Sequence, residues 1–137
     1  MAYPRIASFK TIDAFRDRLR ELDLDIPSDG EIVAAPASPM AAPIELSSGV
    51  IGNRFCILPM EGWDGTTDGK PTDLTRRRWT NFGLSGAKLI WGGEAVAVRN
   101  DGRANPNQLM MSDANLSSFE SLRQTLVAAH EEHAGPS

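Results

Sequence analysis

A chain of 137 residues has room for one ordinary domain with its own core, and 41% hydrophobic with 23% charged content places it among soluble globular proteins. A net charge of −4 and an isoelectric point near 5.1 advertise no basic face, which excludes nucleic acid as a main partner. No apolar run approaches about 18 residues and no charged-then-apolar leader is present, so no membrane partner is expected and the cytoplasm is the expected compartment.

Residues 1–10 read as a loose lead-in. From Thr11 the pattern turns helical: Ile12, Phe15, Leu19 and Leu22 form one apolar stripe among charged neighbours. Thr11 is a suitable N-cap, and Pro27 marks the limit of the helix. Pro27, Pro36, Pro39 and Pro43 then predict an extended connector rich in alanine and serine. Residues 1–43 thus read as a helix with a Pro/Ala-rich linker, and 44–137 as a second region. Ile44-Glu45-Leu46 and Gly49-Val50-Ile51 predict a small hairpin turning at Ser47-Ser48-Gly49.

The second region is organised around two short apolar runs. Arg54 to Leu58 predicts a strand with both faces apolar, and its Cys56 reads as a small buried hydrophobe. As the chain's single cysteine it excludes an internal disulfide and fits a reducing compartment. The run ends in Pro59-Met60-Glu61-Gly62-Trp63-Asp64-Gly65, an irregular glycine-rich loop. A helix follows from about Asp73 to Gly83, capped by Thr72 or Asp73, with Gly86 as a left-handed terminator. Its Arg76-Arg77-Arg78 cluster reads as a solvated face, with a specific anion contact as the alternative. Trp79, in mid-helix, reads as packing on the sheet rather than as a cofactor stack. The second strand spans Lys88 to Gly93. Strand, loop, helix, strand is the βαβ unit of a parallel sheet, whose strand ends are where ligands sit.

A long polar loop over residues 99–116 has the length of a functional loop, and Arg103, Asn105 and Gln108 in it either reach substrate or anchor the loop. The last helix opens on Ser117-x-x-Glu120, a capping-box pattern, and continues in a stripe of Phe119, Leu122, Leu126, Ala129 and His133. His130 and His133 share a face but have no third ligand in view, so no metal is expected.

Several of these pieces, in order, resemble the opening of the old yellow enzyme family. They are Asn53-Arg54 with Pro59-Met60, Asp68-Gly69-Lys70-Pro71-Thr72, Ser85-Gly86-Ala87-Lys88-Leu89-Ile90, Glu94-Ala95-Val96-Ala97-Val98, and Asp101-Gly102-Arg103 with Gln108-Leu109. The match runs over roughly residues 44–135. That family comprises FMN-dependent NAD(P)H:flavin oxidoreductases, including NADH oxidases, built on a TIM barrel.

The resemblance implies an α/β fold: the N-terminal part of a (β/α)8 barrel, about two βα units, preceded by a helix and a small hairpin. It implies FMN as cofactor and NAD(P)H as reductant of an ene-reductase-like reaction on a small-molecule substrate. Pro59, Met60, Glu61, Gly93 and Ala95 are the implied cofactor contacts; Trp63 and Arg103 are the implied substrate contacts. Trp63 serves equally as ordinary loop packing. Glu94 matches a family glutamate and reads more simply as a carboxylate bonded to loop amides. Glu61 departs from the cysteine or threonine usual at its position, and a carboxylate there repels the anionic reduced flavin unless protonated or paired. The substrate-gripping and proton-donating residues of later strands have no counterpart, so no catalytic residue is assigned. Two βα units of eight do not close a barrel, so the chain is expected to be an N-terminal fragment, inactive alone and without flavin of its own. The alternative is a non-catalytic module that associates through its exposed sheet edges with a partner supplying the other strands.

Overall fold

The computed structural model describes residues 3–134; the outer ends of the lead-in and of the second region lie outside the described residues. The chain divides into two compact units, Met1–Ala34 and Ala35–Ser137.

In the first unit a 3-10 turn, Ile6–Ser8, precedes α1, Ile12–Glu21. Thr11 caps α1, its Oγ1 accepting from the Ala14 N–H at 3.2 Å. The helix stops where Asp23 adopts φ 54°, and the Asp23 and Leu24 N–H groups turn back to the carbonyls of Arg20 and Leu19 at 3.1 and 3.0 Å. Leu19 is buried, and the rings of Phe9 and Phe15 meet edge to face at 6.1 Å. Arg16 holds the segment after Pro27 by donating to the Ser28 carbonyl at 2.6 Å.

The second unit is a mixed α/β structure. The connector is less extended than its prolines predict: Pro39–Ala41 forms a 3-10 turn, and the Met40 carbonyl accepts from Arg54 N–H at 2.9 Å. Strands β1, Ile44–Leu46, and β2, Gly49–Ile51, pair antiparallel with Leu46 opposite Gly49. The loop is therefore Ser47-Ser48, one residue tighter than expected.

Strand β3, Cys56–Ile57, pairs in parallel with β4, Leu89–Ile90, with Cys56 opposite Leu89 and Ile57 opposite Ile90. Both are shorter than the predicted Arg54–Leu58 and Lys88–Gly93. Upstream, the N–H groups of Arg54 and Phe55 are spent on Met40 O and Asn53 Oδ1. Downstream, Gly92 and Gly93 turn to φ 74° and 65°. Cys56 is exposed, against expectation. None of the other paired strand residues is buried: Ile57, Leu89 and Ile90 are half-buried.

Helix α2, Asp73–Leu84, is capped at Thr72, whose N–H is accepted by Thr75 Oγ1 at 3.1 Å, and Gly86 beyond it takes φ 75° as expected. Helix α3, Leu116–Ala134, is entered from a 3-10 turn, Asp113–Asn115. Ser117 therefore lies inside the first turn and is not its cap. Buried Asn115 makes the entry instead, donating to the carbonyls of Asp68 and Met110, both at 3.0 Å. The two helices pack together around Trp79, Leu109 and Leu122, with Phe82, Val96, Phe119 and Leu126 completing the core. The apolar stripe of α3 ends on His130, not His133. His130 is buried between the Gly83 carbonyl at 3.1 Å and Lys88 Nζ at 2.7 Å, while His133 is exposed. Among the described residues no three metal-ligating side chains gather, and no helix is long and apolar enough to cross a membrane.

Candidate functional site

The chain leaves β3 and β4 on the same side of the sheet, because the strands are parallel. It brings Met60 and Ala95 into direct contact: the Ala95 N–H donates to the Met60 carbonyl at 3.1 Å. Pro59, Met60, Glu61 and Ala95 lie exposed along this rim. Gly93 does not share it. It is buried beneath the indole of Trp79, where an added β-carbon would lie 3.0 Å from the ring, and its φ of 65° suits a residue without one. Trp79 is thus core packing, as its mid-helix position predicts.

A polar lock beneath the rim holds the two loops together. Glu94 is 4% exposed. Its carboxylate accepts from the Gly62 N–H at 3.0 Å, from Arg78 Nη2 at 3.1 Å and from Trp79 Nε1 at 3.3 Å. Arg78 also forks onto Asp64, with Nη2 to Oδ1 at 2.7 Å and Nε to Oδ2 at 3.2 Å. A β-carbon at Gly62 would land on Glu94 Oε1 and close to Arg78 Nη2, so a side chain there would push the tips of the lock aside. Burial pushes the Glu94 carboxyl above its usual 4.5, and the like charge of Asp64 acts the same way; Arg78 and the Trp79 N–H oppose them. Burial alone would lower the Arg78 guanidinium, but hydrogen bonding to Asp64 and the charges of Glu94 and Asp64 raise it instead. The arginine cluster is consequently no uniform solvated face. Arg78 points into the lock and Arg76 donates to Ser121 Oγ at 2.9 Å.

The residues of the long loop anchor it. Gln108 Nε2 donates to the Ala95 carbonyl at 2.9 Å, and its Oε1 accepts from the Ala104 N–H at 2.7 Å. Asn105 Nδ2 donates to the Gly62 carbonyl at 3.0 Å. The Arg103 guanidinium is occupied by the carbonyls of Thr66, Thr67, Pro106 and Gln108. Trp63 is exposed. With Leu58, Met60, Glu61, Arg78 and Phe82 it lines an open hollow of about 490 Å3 beside β3.

Sequence reasoning singled out Glu94 and left Arg103, Asn105 and Gln108 open between two roles. It passed over Asp64 and the inward turn of Arg78. The available signal was a charge pair, Asp64 and Arg78, flanking a glycine-rich loop and facing a glutamate at the next strand end.

No family model and no curated protein sequence matches the chain. Among solved structures, it is similar to a variant of NCR from Zymomonas mobilis at 23% identity, with a TM-score of 0.54. The likeness covers 66% of this chain, which spans 29% of the length of that protein. What the two share at this level is the fold.

Proposed function

We propose that this chain supplies the first two βα units of an FMN-dependent oxidoreductase barrel of the old yellow enzyme type. The observation that carries the reading is the Met60–Ala95 hydrogen bond at 3.1 Å. It joins the two strand ends into one rim with the small, main-chain-rich character that a flat ring requires. The ordered motifs from Asn53 to Leu109 and the fold likeness to NCR support it.

The residues present fit the ring and not the whole cofactor. Pro59, Met60 and Ala95 would lie against its edge. Gln108 and the Glu94 lock would hold that rim in place, and Trp63 would stand at the substrate side. Among the described residues Glu61 has no hydrogen-bond or ion-pair partner, so it would set a bare negative charge beside the ring and disfavour the anionic reduced form. FMN, when bound, carries hydride between NAD(P)H and a small acceptor. Arg103 we assign to holding the loop, because its donors are taken by backbone carbonyls. The expected setting is the cytoplasm.

A second reading, a module that works by assembly and not by catalysis, is favoured by the large apolar side chains exposed beside the β3–β4 pair, Leu58 and Trp91. Flavin fluorescence and the visible flavin band, followed as FMN is added, test both. The measurement is made on the chain alone and with a polypeptide supplying the remaining barrel strands. Saturable quenching that tracks assembly and is lost in Ala95→Trp is the expected result. Assembly without flavin uptake, or uptake indifferent to Ala95→Trp, overturns the flavin reading and leaves the module.

A further inference from the structure

The step Asp-Gly occurs at Asp29-Gly30, Asp64-Gly65, Asp68-Gly69 and Asp101-Gly102. Each carries the same latent chemistry. The glycine nitrogen can attack the side-chain carboxyl carbon of the aspartate before it, because glycine has no β-carbon in the way. A succinimide ring forms and one water leaves. Water then reopens the ring at either carbonyl. Opening at the main-chain carbonyl leaves an isoaspartate, in which the chain runs through the former side chain and the α-carboxylate is free. The reaction needs a carboxyl able to give up its hydroxyl, a glycine N–H with no other partner, and room for the backbone to turn.

The fold withholds these conditions from the later pairs. The Asp64 carboxylate accepts from Arg78 at 2.7 and 3.2 Å and from Thr75 Oγ1 at 3.2 Å, while the Gly65 N–H donates to the Asn107 carbonyl at 2.9 Å. The Asp68 carboxylate takes the Thr66 hydroxyl and, at 2.9 Å, Lys70 Nζ; the Gly69 N–H donates to the Thr66 carbonyl at 2.9 Å. Arg99 forks onto Asp101 at 2.9 and 2.8 Å, and the Gly102 N–H donates to the Arg99 carbonyl at 3.1 Å. The Thr66 hydroxyl holds the Asp68 carboxyl below its usual 3.8, and the Arg99 guanidinium does the same at Asp101. Both are thereby kept as carboxylates, the poorer electrophile.

Asp29-Gly30 has none of these restraints. Both residues are exposed, and among the described residues neither the Asp29 carboxylate nor the Gly30 N–H has a hydrogen-bond partner. A β-carbon on Gly30 would meet only Arg16 Nη2, at 3.9 Å, so the backbone has space to turn. Arg16 pins the chain one residue earlier, at the Ser28 carbonyl, and no helix or strand follows before Pro39. We propose that Asp29 is where the folded chain isomerises, and that the isoaspartate formed is a substrate for a carboxyl methyltransferase. Such an enzyme moves a methyl group from a sulfonium donor to the free α-carboxylate. Here that carboxylate stands on an exposed segment without regular structure, which an enzyme cleft can take up. The site lies in the first unit and does not rest on the flavin reading.

The test is a timed incubation of the full chain in warm neutral buffer, native and in urea. Labelled methyl uptake from S-adenosylmethionine, catalysed by an isoaspartyl methyltransferase, is read on the intact chain, and peptide mapping locates the isoaspartate. No lysine or arginine occurs between Arg20 and Arg54, and the Lys70-Pro71 bond resists trypsin, so the pairs fall on separate peptides, residues 21–54, 55–76 and 100–103. In the native chain isoaspartate is expected to accumulate on 21–54 alone, with methyl uptake rising in step. In urea the pairs become equivalent, and isoaspartate is expected on every one of these peptides. Asp29→Glu, whose longer side chain does not close the five-membered ring, is expected to lose the native methyl uptake and to keep the parent's circular dichroism. Native isoaspartate at Asp64, Asp68 or Asp101 in amounts equal to that at Asp29 overturns the proposal. So does its absence at Asp29, a folded chain that carries it there yet takes up no methyl, or uptake undiminished in Asp29→Glu.

Discussion

Gly83 lies where α2 crosses α3, and replacing it by alanine measures how closely the two backbones must approach. The added β-carbon would fall on the Leu126 carbonyl and sit 2.9 Å from Ala129 Cβ and 3.1 Å from the His130 N–H. These are mostly main-chain atoms, which cannot rotate away, so the upper part of the about 1–3 kcal/mol cost of overpacking applies. Alanine is the better helix former and returns up to about 1 kcal/mol. The net expectation is a loss of about 2 kcal/mol, or a melting point lower by roughly 8–16 °C for a unit of this size. Thermal unfolding followed by far-ultraviolet circular dichroism gives the number. Gly102→Ala is the control, since no atom lies within 4 Å of its added carbon; it is expected to be neutral or to stabilise by up to about 1 kcal/mol. A Gly83→Ala protein that melts at or above the parent refutes the argument that this crossing is set by steric approach.

Glu94→Gln removes a titrating group while keeping its shape. The folded carboxyl is raised above 4.5, mainly by burial, so the folded chain holds that proton more tightly than the unfolded one. The stability of the parent relative to the variant, by urea unfolding, should therefore rise as pH falls from neutral toward 4.5. A flat or opposite trend contradicts the assignment. Arg103→Lys exchanges a fork serving four carbonyls for one ammonium with three donors. The expected local cost is about 1–2 kcal/mol, seen as faster amide exchange over residues 99–112 with little change in the global midpoint. Unaltered exchange there shows that the guanidinium is not what holds the loop.

The elements that could be read from the sequence are those fixed by local chemistry. Thr11 and Thr72 cap their helices, Gly86 closes one, the hairpin turns at Ser47-Ser48, and strand–helix–strand gives the parallel pair. The neighbourhood of Met60 and Ala95 follows from that pairing. What was misjudged depends on partners far along the chain. An apolar run does not say whether both its faces find cover, so Cys56 was expected inside. A Ser-x-x-Glu pattern does not say that Asn115, bonded across to Asp68, starts the helix first. One arginine in a run of three turns inward only because Asp64 and Glu94 converge from two loops.

Met60 and Ala95 meet through main-chain atoms, and the groups that fix them, Gln108, Glu94 and Arg78, all reach in from below. The outward side chains at 60 and 95 bear no part of that construction. They are interchangeable parts on a fixed mount, so the face they present could be rewritten by single substitutions while its frame stays put.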